Sequence, residues 1–183
     1  MRTLLNVLLL GFAFACQGAY AEDSAVSFDG QVFLKRFEAA QPNGDKLVEF
    51  VRDGEALENW TKLIGFRYQQ LPRIDNDAKK AAAAMAQVVK ATNPGAPAQV
   101  MVNDQNEAIL DFLILSKDAK FMEFNLFKYA KSNDGNAVVS FQFAYRFSPS
   151  SISPPEFSKS RITWINSAAS YDMNQVQAAF GKK

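Results

Sequence analysis

Apolar and polar positions alternate at two different periods along the chain, and the two periods separate its strands from its helices. Ala137 to Phe147 alternates most cleanly: Val139, Phe141, Phe143, Tyr145 and Phe147 fall on one side, and Ser140, Gln142, Ala144 and Arg146 on the other. That is the period-two pattern of a strand. Gln31–Ala39 and Lys46–Arg52 are apolar-rich and flank Pro42-Asn43-Gly44-Asp45, where proline presets φ and Asn-Gly tolerates positive φ, so they read as a hairpin. Trp60–Leu71 reads as a further strand ended by Pro72, with a bulge or bend expected at Gly65 because its apolar positions do not alternate regularly. Glu107–Ser116 is almost continuously apolar, which suits a strand covered on both faces. Lys120–Lys131 follows, joined to Ala137–Phe147 by Asn133-Asp134-Gly135-Asn136, a hairpin turn. Gln99–Asn103 is short and could add one more strand to these three.

Two segments carry a helical period. Over Asp75–Thr92, Ala78, Ala81, Ala82, Met85, Val88 and Val89 recur at i, i+3, i+4 and i+7, Asp75 can cap the start, and Asn93-Pro94-Gly95 closes the end. The tail from Glu156 is helical in two pieces split at Ser170–Asp172, with Asp172 capping the second. Glu22–Asp29 is polar and reads as a loose leader; Glu55–Asn59 reads as a loop or one helical turn. Strands joined by hairpins with few helices predict an α+β fold: a twisted antiparallel sheet of about five to seven strands, with one long central helix and a C-terminal helical segment packed on it.

The first residues follow a different logic. Met1-Arg2, the apolar run Leu4–Cys16 and the small residues of Ala19-Tyr20-Ala21 form the n-region, h-region and cleavage site of an export signal. The apolar run is shorter than the roughly 20 residues that a membrane span needs. The expected organisation is a signal peptide over residues 1–21 and one α+β domain over 22–183. This places the protein in the periplasm or outside the cell, with no transmembrane span in the mature chain. Cys16 raises an alternative, a lipid-anchored envelope protein. Ala13 stands where a lipobox usually has leucine, which favours cleavage after Ala21.

Composition then narrows the chemistry. The 183 residues contain no histidine and one cysteine, Cys16, which leaves with the signal. Ser-His-Asp and Cys-His catalysis and Cys/His zinc sites are thereby removed. Lys and Arg number 20 against 19 Asp and Glu, so there is no basic excess for nucleic acid. Neither G-x-x-x-x-G-K-[ST] nor G-x-G-x-x-G occurs. Ser158-Lys159-Ser160 has the residue types of a Ser-Lys pair but no more than that. Asp104-Gln105-Asn106-Glu107 lacks the twelve-residue loop of a calcium site. No catalytic residue, metal or cofactor is expected.

What remains are candidate contact residues: Arg52, Glu55, Glu58, Asn59, Trp60, Arg67 and Tyr68. Glu55 and Glu58 lie near Asp53 and beside Trp60, and Asn59-Trp60-Thr61 matches a glycosylation sequon. Paired carboxylates next to a sugar-stacking ring keep a histidine-free glycan hydrolase open; a solvated loop is the plainer reading. Arg52, Arg67 and Arg146 interleave with Phe50, Tyr68 and Tyr145, which allows either an aromatic–cationic binding surface or arginine stems lying over rings.

The stretch Phe50-Val51-Arg52-Asp53-Gly54-Glu55-Ala56-Leu57-Glu58-Asn59-Trp60-Thr61 resembles a segment of small uncharacterised exported bacterial proteins. The order of elements resembles the PsbP-like fold of periplasmic DcrB-type proteins. The resemblance implies a periplasmic α+β domain that acts by binding, and it carries over no catalytic residue. The functional expectation is an exported, non-enzymatic binding protein whose partner is another protein, an envelope component or a small ligand.

Overall fold

The computed structural model describes residues 24–181; the expected signal peptide and Cys16 lie outside them. Eight strands form one antiparallel sheet: β1 (Ala25–Phe28), β2 (Gln31–Ala40), β3 (Lys46–Arg52), β4 (Lys62–Gln69), β5 (Ala98–Val102), β6 (Ala108–Leu115), β7 (Met122–Lys131) and β8 (Val138–Phe147). Three helices accompany them: α1 (Ala78–Thr92), α2 (Pro154–Ala169) and α3 (Met173–Phe180). The strand order is β1-β2-β3-β4-β8-β7-β6-β5. Two four-stranded meanders thus meet where β4 pairs with β8, from Lys62↔Tyr145 to Gln69↔Val138.

This corrects the expected architecture of five to seven strands around one long central helix. The additional strand at the start is β1, cut from the segment read as a loose leader. Its residues pair with the first part of β2, Ala25↔Leu34 through Phe28↔Gln31, around a turn in which Asp29 and Gly30 both take positive φ. No helix is central. α1 has 15 residues and α2 has 16. α1 covers one face over the β5–β8 half of the sheet, while α2 and α3 lie on the other face.

Local chemistry explains the remaining shifts. α1 is capped by Asp77, whose carboxylate accepts the Lys80 amide at 2.8 Å. Asp75, expected as the cap, takes a left-handed conformation two residues earlier and pairs with Lys80 Nζ at 2.7 Å. The bulge lies in β2 between Lys35 and Phe37, not at Gly65, where pairing with both neighbours is continuous. The tail divides at Ser170–Asp172. Ser153 and Glu156 form a capping box on α2, and Asp172 caps α3 through the Asn174 amide.

The alternation along β8 feeds two cores. Val139, Phe141 and Phe143 join Phe28, Phe66, Leu126 and Trp164 under α2 and α3. On the opposite face, Leu110, Phe112, Phe127 and Tyr129 pack against the alanine-rich side of α1. Trp60, Val51, Leu63 and Ala144 form a third, smaller cluster. β6 is covered on both faces, as its apolar run implies, yet it sits next to the sheet edge rather than at its centre.

Candidate functional site

A cleft of about 580 Å³ opens on the face covered by α2 and α3, between the start of β4, the end of β8 and the first half of α2. Its floor is built by register. Lys62 opens β4 directly opposite Tyr145 of β8, and α2 lays Trp164 beside them. The Lys62 ammonium sits 5.7 Å from the Tyr145 ring centre and 5.9 Å from that of Trp164. The β1–β2 turn supplies Asp29, whose carboxylate accepts Trp164 Nε1 at 2.8 Å and stands 3.8 Å from Lys62 Nζ. Across the cleft stand Glu156, Lys159, Ser160 and Thr163 of α2, with Ser151 and Ile152 before it.

Lys62 has 13% of its side chain exposed. Burial lowers its ammonium below the ordinary lysine range; Asp29 pulls it back up, Arg52 pushes it further down and Glu55 opposes Arg52. The cleft therefore holds a poorly hydrated cation over two rings, with a second ammonium, Lys159, and hydroxyls on the facing wall. Glu156 is already engaged by Ser153, through both its amide and its hydroxyl.

The seven residues chosen from the sequence fall into separate places. Arg52 and Glu55 are together: Arg52 Nη2 donates to Glu55 Oε1 at 2.5 Å and also to Thr61 Oγ1. Thr61 donates to the same carboxylate through its amide at 3.2 Å and its hydroxyl at 2.6 Å. Burial alone would raise the Glu55 carboxyl, but the bonds from Arg52 and Thr61 outweigh it and hold the group below its usual range. The Arg52 guanidinium is raised in turn, chiefly by its bond to Glu55. This cluster flanks Lys62 and acts on it electrostatically.

Glu58 is exposed. Asn59 closes the 55–61 loop by accepting the Ala56 amide at 3.3 Å. Trp60 is 8% exposed, with the Arg146 guanidinium 3.7 Å from its ring centre, so its face is not open to a sugar. Arg67 and Tyr68 are neighbours on a strand and point to opposite faces. Arg67 is buried on the α1 side and donates to Gln142 Oε1 at 2.8 Å. Tyr68 donates to Asp134 Oδ2 at 2.8 Å on the other side, near Phe180.

Sequence reasoning missed Lys62, Tyr145, Trp164 and Asp29 as a group. Their proximity depends on β4 pairing with β8 and on β1 being a strand, and no local spacing signals either. Among the described residues, no group of three or more Asp, Glu, His or Cys could hold a metal ion, and no helix is long and apolar enough to cross a membrane. A protein-family model matches residues 20–179. No curated protein and no solved structure matches the chain.

Proposed function

The chain belongs to the family whose model spans residues 20–179; on that premise, and on the geometry of the cleft, we propose that it is an exported, periplasmic or secreted protein that binds a small ligand and does not transform it. The observation that carries this reading is the Lys62 ammonium, largely desolvated over Tyr145 and Trp164 at the floor of an open cleft. A fixed cation beside an aromatic wall suits an organic anion with an aromatic or planar body, its charge directed at Lys62 and Lys159 and its body against the partly exposed Tyr145. Export rests on the leader expected over residues 1–21.

The glycan-hydrolase alternative gains no support from the geometry. Glu55 is committed to Arg52 and Thr61, and Trp60 is roofed by Arg146.

The test titrates the processed protein with benzoate and phenyl phosphate, followed by tryptophan fluorescence and amide chemical shifts. Saturable changes at β4, β8 and α2 that disappear in Lys62→Met support the reading. Absence of any saturable change in the millimolar range, or identical binding by Lys62→Met, removes it. Mass spectrometry of the exported product checks the location: a free amino terminus at Glu22 is expected, whereas an acylated Cys16 would make the protein a lipoprotein.

A further inference from the structure

The face of the sheet opposite the cleft holds a second set of polar groups, and these are placed where a core would ordinarily be apolar. Reading across the strands, Tyr129 of β7 is opposite Ser140 of β8, and Ser140 is opposite Arg67 of β4. One row further on, Gln142 is opposite Gly65, and Gly65 is opposite Glu49 of β3. Directly paired residues of adjacent strands place their Cβ atoms about 4.5–5.5 Å apart, so these side chains form one contiguous patch. Tyr129, Ser140, Arg67, Glu49 and Gln142 are each more than nine-tenths buried.

Their hydrogen bonds do not close on one another. Gln142 is engaged at both ends of its amide, accepting from Arg67 and donating to Asn125 at 2.9 Å. Arg67 spends one N–H on Gln142 and makes no ion pair with Glu49, although the two act on each other electrostatically. Tyr129 Oη and Ser140 Oγ, at 3% and 1% residue exposure, have no partner among the described residues. Buried hydroxyls are rarely left so. Gly65 contributes no side chain to the middle of the patch, and the Gln142 side chain lies over it, with Oε1 3.0 Å from where a Cβ would stand. α1 packs over its Tyr129 end, and the Trp60 cluster lies along the strands beyond Gln142.

We propose that this patch is a second binding site, distinct from the Lys62 cleft, which takes a small monocarboxylate of the size of formate or acetate. A carboxylate offers two oxygens with about four acceptor positions and no donor. The Arg67 fork can meet one edge of it, and the Tyr129 and Ser140 hydroxyls can donate to the remaining positions. Charge selects the monoanion. Arg67 supplies one positive charge, and a dianion such as phosphate would leave an uncompensated charge in a buried place. Burial raises the Glu49 carboxyl above its ordinary value against the pull of Arg67 and Arg146. The burial of all five side chains limits the guest to a few heavy atoms.

Formate and acetate, with chloride as control, are titrated into the processed protein while amide and tyrosine ring resonances are recorded. Saturable shifts centred on β4, β7 and β8 are expected, unchanged in Lys62→Met, so the outcome does not depend on the cleft. Tyr129→Phe and Ser140→Ala remove only the unpartnered hydroxyls, and each is expected to weaken binding about tenfold with the melting temperature kept or raised. No saturable shift, shifts confined to the cleft, or wild-type affinity in Tyr129→Phe would each overturn the site. So would a high-resolution structure in acetate that shows only water on the two hydroxyls.

Discussion

The Arg146 guanidinium lies over Trp60, 3.7 Å from the ring centre, while its Nε donates to Glu123 at 2.8 Å. One arginine thus ties the 55–61 loop to β7 through β8, using an aromatic face on one side and a carboxylate on the other. Replacing the indole removes a buried aromatic and leaves the cation with Glu123 and the more distant Phe121 ring, 5.3 Å away. Trp60→Ala is expected to cost about 3–5 kcal/mol and Trp60→Phe much less, because a ring is retained. Denaturant titration measures both. A Trp60→Ala variant as stable as the parent would show that the loop contributes little to the fold.

Gly65 is needed for what its absent side chain leaves free. A Cβ there would stand 3.0 Å from Gln142 Oε1, the atom that accepts from Arg67. Gly65→Ala should therefore cost about 1–3 kcal/mol by displacing a packed side chain. The cost should shrink when Gln142 is already alanine. A double-mutant cycle reads the coupling, and strict additivity would mean that the two positions do not meet.

Arg161 holds α2 to the sheet. Its Nε and Nη2 reach the two oxygens of Asp111 at 2.5 and 3.0 Å, and Nη2 also donates to Gln99 at 2.9 Å. The Asp111 side chain is buried at 4% exposure. Removing only the cation strands a buried carboxylate, so Arg161→Gln should destabilise by about 3–5 kcal/mol. Amide exchange in α2 should accelerate more than in α1. Uniform acceleration across both helices would indicate a global loss rather than an undocked α2.

The carboxyl of Glu49 gives a pH signature. Burial raises its native value, with Arg67 and Arg146 opposing, whereas in the unfolded chain it titrates near 4.3. The native state thus keeps the proton to higher pH. The contribution to stability is fully present below pH 4.3 and is lost as pH rises through the native value. Glu49→Gln should accordingly be more stable than the parent at pH 7, and the advantage should vanish near pH 4. Chemical unfolding at the two pH values decides it; a variant weaker than the parent at both would show a net attraction to Arg67 instead.

Local pattern made much of the secondary structure legible and little of the candidate site. The hairpin at Asn133–Asn136, the alternation of β8 and the division of the tail at Ser170–Asp172 are carried by neighbouring residues, so they could be read directly. β1 was not, because four residues alternating in burial behind a polar stretch carry no signal until β2 is there to pair with. Asp75 was read as the helix cap, whereas Asp77 fills that place; both are acceptable cap residues, and only backbone conformation separates them. Arg52 and Glu55 were each chosen for another reason, Arg52 for its alternation with aromatics and Glu55 as a carboxylate beside Trp60, and their pairing was not foreseen. Lys62 and Tyr145 are brought together by strand pairing across 83 positions of the chain, and Asp29 meets Trp164 across 135. Ser140 and Gln142 were correctly set on the polar side of β8, but alternation cannot reveal that this side is buried as well.

An open sheet has two rims, and each invites another polypeptide to add itself. Here the invitation is curtailed differently on the two sides. β5 offers only five residues. β1 offers four, and its strand pairing with β2 runs only as far as Leu34; beyond that point β2 carries Lys35, Arg36 and Glu38 and has an irregularity between Lys35 and Phe37. Charge and distortion are the usual defences against edge-to-edge growth. Deleting Arg36 would remove the distortion and leave Lys35 and Glu38 as this rim's remaining defence, so a strand added by another polypeptide would meet a straighter ladder still guarded by charge.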